Sequence, residues 1–337
     1  MAPKHRNNFD ALRLLAATAV IVHHTTTIRA LPFNFGFIGV AIFFIISGYL
    51  IMQSWDRNPD VLRFIRARVL RIFPGLFVAI AFTILVIGPL LTTLPIGRYF
   101  SDGDALRYLY TLDLMHLDQH LPGVVFNYGY PVSVNTPLWT LPVELKMYLF
   151  LAILGAAGAL RTRIFVVGAF VIGLIGAYRP AGTVFTVLGY WGISTFVMGL
   201  LGQTNNYPLF FLAGSLLYMF RDVLRPNRWV ALALFALWIA GNYTKHLEAF
   251  SLACMPYFII TAGLAATRGL RDVIRIGDLS YGLYIYAFPI QHVWMKWSGL
   301  NARGHGLLAL LVFSTTAPIA LASWHLVEKR ALRFKGR

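Results

Sequence analysis

The chain has 337 residues, of which 58% are hydrophobic and 12% charged, and its formal net charge is +16. This composition excludes an ordinary soluble globular protein and indicates one that crosses a membrane several times. The single cysteine, Cys254, excludes an intramolecular disulfide framework, and the sequence has no cysteine-rich zinc pattern. Membrane topology and contact with anionic lipid or a phosphorylated ligand explain the positive charge, so we expect no nucleic-acid partner.

Apolar segments of about 20 residues predict an all-α fold, a polytopic membrane helix bundle of about ten transmembrane helices. The predicted spans are 9–28, 36–54, 72–94, 138–159, 164–178, 207–220, 229–243, 250–267, 279–298 and 306–326. With a cytoplasmic N-terminus, 20 of the 26 lysines and arginines outside the spans lie on the cytoplasmic side, as the positive-inside rule requires. We therefore expect cytoplasmic N- and C-termini and one membrane domain over residues 1–337, without a fused soluble domain.

The first span carries two ionisable side chains, Arg13 and His24, eleven positions apart. Eleven steps of about 100° return to the same helix face, and at ~1.5 Å each they cover roughly 16 Å. A charge near the bilayer centre costs on the order of 2.5–3.5 kcal/mol, so both residues should face protein or a wet cavity. Asp10, three positions before Arg13, can pair with it. His24 is then either a general base or nucleophile, or an interfacial histidine beside a structural ion pair, whereas His23 lies off this face and is expected to be structural.

The second span is rich in small residues. These are Gly36, Gly39, Ser47 and Gly48. Small side chains let membrane helices approach closely, so helix contact is the default interpretation.

A basic segment follows the second span and includes Arg66, Arg68 and Arg71. Arginines about three apart share a helix face, and the guanidinium fork suits phosphate oxygens. A phosphorylated cytosolic ligand and an ordinary positive-inside anchor both explain this segment.

The fourth span, 138–159, has Trp139 near its start and places Glu144 two residues after a proline. A carboxylate inside a span is costly unless it is satisfied. Glu144 and Tyr148, at i and i+4, can form one polar face, while Lys146 points roughly opposite.

Two segments do not fit simple spans. Residues 95–137 form a long outside loop, which is expected to be ordered or functional. His116, Asp118 and His120 alternate within it, but ligands on an exposed loop are a weak metal pattern, and we expect no metal site. Residues 180–205 are apolar, yet counting them as a helix would place every later basic cluster outside. We expect an interfacial or re-entrant element there.

These features resemble, in order and over most of the chain, the motifs of the acyltransferase-3 family of integral membrane acyltransferases. The motifs are Arg13 with His24; Phe37–Ile51; Arg68 and Arg71 before Ile72-Phe73-Pro74; Leu138–Glu144 with Tyr148; Phe211–Tyr218; Ser280–Tyr286; and Ser323–Lys329. The chain departs from the family at Ala287, where many members have a histidine, and at Arg330, where members often have proline.

The resemblance implies transfer of an acyl group, usually acetyl, to a hydroxyl of a carbohydrate or of a carbohydrate-bearing lipid or metabolite, in a bacterial inner membrane. The implied donor is a cytoplasmic acyl-coenzyme A, first of all acetyl-CoA. Its phosphates would be held by Arg66, Arg68 and Arg71. His24 would deprotonate the acceptor hydroxyl or briefly carry the acyl group, and Arg13 would orient the thioester or stabilise its carbonyl oxygen.

Glu144 has two implied roles, since it would either tune His24 or bind the acceptor. The supporting residues expected around the substrates are Asp10, Ser47, Trp139, Tyr148 and Tyr281. The identity of the acceptor, the length of the acyl chain, a covalent acyl-histidine and the oligomeric state stay open.

Two other classes of protein are compatible with these residues. A polytopic transporter could use the stripe of Arg13 and His24 as a substrate or proton path, but it would need no coenzyme A site. A non-catalytic membrane scaffold would tolerate the replacement of His24 by alanine. Turnover of a thioester separates the enzyme from both.

Overall fold

The computed structural model describes residues 7–26, 33–101, 103–114, 117, 120–125, 133–178, 206–265, 277–300 and 306–336. All regular secondary structure in these ranges is helical. The chain is therefore all-α in its described part, as the apolar periodicity predicts.

Ten helices of 13 residues or more lie in the described ranges, and each overlaps one predicted span. They are α1 Phe9–Thr25, α2 Phe35–Arg57, α3 Val61–Phe82, α4 Thr140–Ala156, α5 Ile164–Tyr178, α6 Tyr207–Met219, α7 Arg228–Gly241, α8 Leu247–Leu264, α9 Ser280–Ser298 and α10 Gly306–Ser323. Among the described residues, five helical stretches are long and apolar enough to cross a membrane, namely Phe35–Arg57, Val61–Leu91, Thr136–Ala156, Leu247–Leu264 and Gly306–Lys335. A total of ten crossings and the orientation of the termini stay predictions.

The third helix begins earlier than predicted. It starts at Val61, eleven residues before the predicted span, so the basic segment forms its first turns. Charged side chains such as Arg63 and Arg66 are exposed there. They interrupt the apolar run, so an amphipathic helix end is not predicted as part of a membrane span.

The chain forms two compact units. The first comprises Met1–Leu12, Val40–Ile65 and Val143–Arg271, and the second comprises Arg13–Gly39, Arg66–Pro142 and Asp272–Arg337. Helices α1, α2, α3 and α4 each contribute residues to both.

The first unit contains a close contact between α2 and α6. A Cβ atom at Gly48 would lie 1.9 Å from the carbonyl oxygen of Phe211, and one at Gly214 would lie 2.1 Å from that of Ile45. The backbones therefore touch, which only glycine permits at these two positions. The hydroxyl of Ser215 adds a hydrogen bond of 3.1 Å to the carbonyl of Gly48.

In the second unit, the turns that continue α3 as far as Leu91 are held by residues from other segments. A π-helical turn, Thr83–Ile87, precedes Pro89, whose ring cannot continue the regular hydrogen-bond ladder. The hydroxyl of Tyr99 donates to the carbonyl of Ile84 over 2.9 Å. Lys296 donates to the carbonyls of Leu90 and Leu91 over 3.1 Å, so the end of the stretch is capped by a cation.

Helix α9 is the central packing element of the second unit. Pro289 removes the regular donor for the carbonyl of Ile285, and the side-chain amide of Asn135 replaces it over 2.8 Å. Tyr284 donates its hydroxyl to the carbonyl of Pro137 over 2.8 Å. On the other side, Gly282 packs directly on Ala320 of α10.

Candidate active site

Helix α1 carries the first predicted site residues, and its ends are fixed by polar contacts. Asn8, just before the helix, donates its backbone amide to the carbonyl of Gly263 over 2.7 Å. Arg13 and Asp10 are half-buried along the helix, and His24 lies in its last turn. Pairing of Asp10 with Arg13 stays a prediction.

His24 is half-buried and is contacted by two residues of α9. Its ring meets the ring of Phe288 at 4.8 Å between centroids and 84° between planes. The side-chain amide of Gln291 donates to the backbone carbonyl of His24 over 2.8 Å. His292 meets the same phenyl ring at 4.7 Å and 86°, so Phe288 lies between two imidazoles.

His23, the neighbour of His24, is exposed, and its ring lies 5.1 Å from that of His24. Its imidazole also lies where a Cβ atom at Gly36 would be, with 2.5 Å between them. The prediction of a close helix contact at Gly36 therefore agrees with the structure. Gly39 behaves likewise, because a Cβ atom there would lie 2.6 Å from the carbonyl of Ala16.

The first unit brings together Ser47, Glu144 and Tyr148. The hydroxyl of Ser47 donates to Oε1 of Glu144 over 2.8 Å and lies 2.9 Å from the hydroxyl of Tyr148. Tyr148 also donates to Oε1 of Glu144, as their i and i+4 spacing predicts. Two hydroxyl protons thus serve one carboxylate oxygen, which satisfies a charge that is costly inside an apolar helix.

The second carboxylate oxygen of Glu144 has a different environment. No hydrogen bond reaches Oε2 from the described part of the chain, and this oxygen is not among the fully buried unsatisfied atoms there. A carboxylate oxygen accepts up to two hydrogen bonds, so Oε2 can bind a hydroxyl of a ligand.

Arg71 pairs with two carboxylates of the second unit. Its Nη2 atom lies 2.5 Å from Oδ2 of Asp278, and its Nη1 atom lies 3.9 Å from Oε2 of Glu328. The guanidinium also lies 5.7 Å from the ring centroid of Tyr281. The hydroxyl of Tyr281 donates to the carbonyl of Ile72 over 2.8 Å. The predicted residues Arg71 and Tyr281 are therefore neighbours.

The carboxyl group of Asp278 lies just before α9 and responds to this cluster. Burial raises its pKa, but the charges of Arg71 and Arg13 and a hydrogen bond from Ser280 outweigh burial. Together they bring the pKa of Asp278 down from 3.8 to about 2. Arg13 is thus electrostatically linked to the Arg71 cluster. Asp278 is therefore ionised at neutral pH.

Glu328 is a buried acidic residue at the end of a π-helical turn. The turn Trp324–Glu328 follows α10, and Glu328 is only 1% exposed. Its Oε1 atom accepts the hydroxyl of Ser323 over 3.0 Å. The hydroxyl of Tyr286 lies 3.3 Å from that of Ser323 and continues the chain of polar contacts.

The other predicted site residues are more dispersed. Arg66 is exposed and Arg68 is half-buried on α3. Trp139 is half-buried at the end of a short 3-10 turn, Thr136–Trp139, directly before α4.

Sequence reasoning missed the residues that hold these groups: Asp278, Phe288, Gln291 and His292. Asp278 stands two positions before the Ser280 motif, and its Oδ1 accepts the hydroxyl of Ser280 over 2.6 Å. An acidic residue beside a membrane helix is a signal that could have been noticed. Nothing local marks Gln291, because its partner lies 267 positions away.

Three predictions fall on residues outside the described ranges, namely those for His116, Asp118 and the segment 180–205. Among the described residues, no group of three histidine, cysteine, aspartate or glutamate side chains is placed to hold a metal ion.

Comparison with known proteins gives a match along nearly the whole chain. The sequence model of one family, described as an acyltransferase domain, matches residues 6–324. Nodulation protein 10 of Rhizobium leguminosarum bv. viciae is 32% identical, over 98% of this chain and 94% of that protein. No solved structure matches the chain.

Two further relatives carry the name of a reaction. An O-acetyl transferase of Shigella phage Sf6 is 29% identical over 97% of both chains. The peptidoglycan O-acetyltransferase OatA of Listeria monocytogenes serovar 1/2a is 31% identical, over 43% of this chain and 23% of that protein.

Proposed function

Because the chain belongs to the acyltransferase-3 family and is an integral membrane acyltransferase, we propose that it transfers an acetyl group from acetyl-CoA to a hydroxyl of a carbohydrate or a carbohydrate-bearing lipid. The observation that carries the proposal is the similarity to an O-acetyl transferase over 97% of both chains. The proposed location is a bacterial inner membrane, with the donor on the cytoplasmic side.

The reaction needs a base, an acyl carbon and a leaving thiol. The acceptor oxygen bonds to the carbonyl carbon of the thioester, the carbon–sulfur bond breaks, and the hydroxyl proton ends on the sulfur of coenzyme A. A group that takes the proton early and returns it later catalyses both halves. Alternatively, the same group bonds to the acyl carbon first and then passes it to the acceptor.

His24 is our candidate for this group. Imidazole is the side chain whose ordinary pKa lies nearest neutrality, so it both accepts and returns a proton there. His24 lies in the last turn of α1, and its ring packs against Phe288, which supports a fixed orientation. We assign Arg13 to the developing charge on the carbonyl oxygen, because its spacing places it on the helix face of His24 and its positive charge helps to lower the pKa of Asp278.

The donor has phosphate groups, for which α3 provides guanidinium groups. Arg66 is exposed and Arg68 half-buried, so phosphates can reach the first directly. Arg71 already has Asp278 at 2.5 Å and Glu328 at 3.9 Å. We therefore propose that Arg66 and Arg68 supply most of the donor affinity. Arg71 mainly holds Asp278, just before α9, and Glu328, in the turn after α10, to α3.

We place acceptor binding at Glu144. Its Oε1 atom is held by Ser47 and Tyr148, and its Oε2 atom takes no hydrogen bond from the described residues. A carbohydrate offers many hydroxyl donors, which this oxygen can accept. The similarity to a peptidoglycan O-acetyltransferase supports a carbohydrate acceptor. Which carbohydrate it is follows from the experiment below.

The test uses membranes with wild-type protein, His24→Ala or His23→Ala, supplied with acetyl-CoA labelled on the acetyl group. Release of free thiol and label in alkali-labile carbohydrate are both measured. Wild type and His23→Ala are expected to transfer label, because the His23 side chain is exposed. His24→Ala is expected to lose transfer by a factor of at least 10².

Transfer by His24→Ala at the wild-type rate would refute the role of His24. If no thioester, acetyl or longer, turns over with wild-type membranes and native acceptors, the enzyme proposal itself fails and a transporter becomes the better hypothesis. An acid-stable label on the protein itself would instead favour a covalent acyl intermediate elsewhere than on histidine.

A further inference from the structure

Helix α9 presents two side chains to His24. The amide of Gln291 donates to the backbone carbonyl of His24 over 2.8 Å, and the ring of Phe288 contacts its imidazole at 4.8 Å between centroids. The two residues stand three positions apart, so they share one face of α9. Both are buried, Gln291 being 5% exposed.

The position of His24 in its helix explains why such contacts matter. It is the last residue but one of α1, which ends at Thr25. The last four carbonyl groups of a helix have no partner within the helix, and helix ends fray when nothing else holds them. A donor that binds the carbonyl of His24 fixes its backbone, while an aromatic neighbour restricts the rotation of its ring.

A packing role alone does not explain Gln291. An amide buried in an apolar helix is unfavourable unless it is hydrogen-bonded, and an aliphatic side chain would fill the same space. Its amide nitrogen is directed to His24, with a second, weaker contact of 3.6 Å to the sulfur of Met295. The polar group is thus placed at the residue to which our proposal gives the proton transfer or the acyl group.

Phe288 is itself held from behind. The ring of His292, which is 3% exposed, packs perpendicular to it at 4.7 Å. Pro289 follows directly, and the carbonyl it leaves without a helical donor is bound by Asn135. The backbone of α9 is therefore fixed at the turn that carries Phe288.

We infer that Gln291 and Phe288 are positioning residues for His24, Gln291 through the backbone and Phe288 through the ring. The inference rests on the proposed catalytic role of His24. Neither residue needs to touch the donor or the acceptor. Loss of either should lower kcat and leave KM for acetyl-CoA nearly unchanged, since the donor's phosphates are assigned to α3.

The test compares four variants by kcat and KM. Gln291→Met keeps the length of the side chain and removes the donor, and Phe288→Leu removes the ring. Misplacement of a catalytic group by about 1 Å costs up to ~10²-fold in rate, so we expect kcat to fall roughly ten- to a hundredfold in both. Phe288→Tyr keeps a ring in place and should retain most of the rate.

Trp294→Phe is the matched control. It removes a hydrogen bond of 3.1 Å from α9 to Thr315 of α10, and this bond is not part of the His24 surroundings. Its kcat should stay within about twofold of wild type. The amount of folded protein and its thermal unfolding midpoint in detergent are measured for all four, so that a loss of kcat in folded protein is separated from a loss of fold.

The outcomes separate this inference from the function on which it rests. If wild type transfers label, His24→Ala does not, and folded Gln291→Met and Phe288→Leu both keep wild-type kcat, the positioning role alone is refuted. A fall in kcat equal to that of Trp294→Phe would also refute it. If wild type and His24→Ala are equally active, the proposed role of His24 has failed, and the positioning role fails with it. If neither turns over any thioester, the proposed function itself has failed.

Discussion

The ion pair between Arg71 and Asp278 makes a prediction with a definite dependence on pH. The structure lowers the pKa of Asp278 from 3.8 to about 2. One pKa unit corresponds to 1.36 kcal/mol, so the ionised carboxylate contributes about 2 kcal/mol to the stability of the folded protein. The side chains are 24% and 13% exposed, so solvent screens this pair less than one on the surface.

The sign follows from the direction of the shift. A carboxyl group whose pKa is lower in the folded state stabilises that state above its ordinary pKa, here 3.8. The contribution decreases as the pH falls from about 4 to about 2, because in this range the unfolded chain binds a proton that the folded protein does not. Below about pH 2 both states are protonated and the contribution is gone. Asp278→Asn imitates the protonated group and should lack the contribution at every pH.

The assay is the thermal unfolding midpoint of purified protein in detergent, for wild type and Asp278→Asn, between pH 7 and pH 3. We expect the variant to unfold at a lower temperature at pH 7, and the difference to shrink towards pH 3. Asp222→Asn is the control, because Asp222 pairs with Arg163 at 2.6 Å but is 58% exposed, and such surface pairs contribute little. A difference that stays constant down to pH 3, or that is absent at pH 7, would refute the reasoning.

Three further predictions concern packing, the donor and the acceptor. Gly48→Ala places a methyl group 1.9 Å from the carbonyl oxygen of Phe211, so it should destabilise the protein by ~1–3 kcal/mol or more. Gly168→Ala is the control, because a methyl group there meets nothing within 4 Å. Equal unfolding midpoints for the two variants would contradict this prediction. Arg66→Ala should raise KM for acetyl-CoA roughly three- to tenfold with unchanged stability, whereas Arg71→Ala should lower the unfolding midpoint. If instead Arg71→Ala raises KM and Arg66→Ala lowers the unfolding midpoint, the roles proposed for the two arginines are wrong. Ser47→Ala removes one of the two hydroxyl groups that donate to Glu144. It should raise KM for the acceptor roughly fivefold without changing KM for acetyl-CoA. A change in KM for acetyl-CoA alone would show that Glu144 does not bind the acceptor.

Some pairings in this protein are visible in the sequence because they are local. Glu144 and Tyr148 meet because residues four apart share a helix face. Gly48 predicts a close helix contact because a small residue in an apolar helix has few other uses, and the structure shows this contact with α6. The order of the motifs likewise identifies the family, since a motif needs only neighbouring residues.

The partners of the candidate site are of another kind. Ser47 and Glu144 are 97 positions apart, Arg71 and Asp278 are 207 apart, and Gln291 and His24 are 267 apart. Helix periodicity specifies which face of a helix is polar, but it does not specify which other helix lies against that face. For this reason the sequence suggests that Arg71 is available to bind phosphate groups, whereas the structure shows it in ion pairs with Asp278 and Glu328.

The sequence by itself determined that this is an all-helical membrane protein of the acyltransferase-3 family, and that Arg13, His24 and Glu144 are its unusual polar residues. An apolar run favours insertion into a membrane, and a charge inside that run opposes it. Both effects follow from the local sequence, so composition and spacing suffice to predict them. Only the tertiary structure decided that Ser47 binds Glu144, that Asp278 neutralises Arg71, and that α9 packs against His24. These choices depend on contacts between distant segments, and the energy of such a contact exists only once the helices have packed.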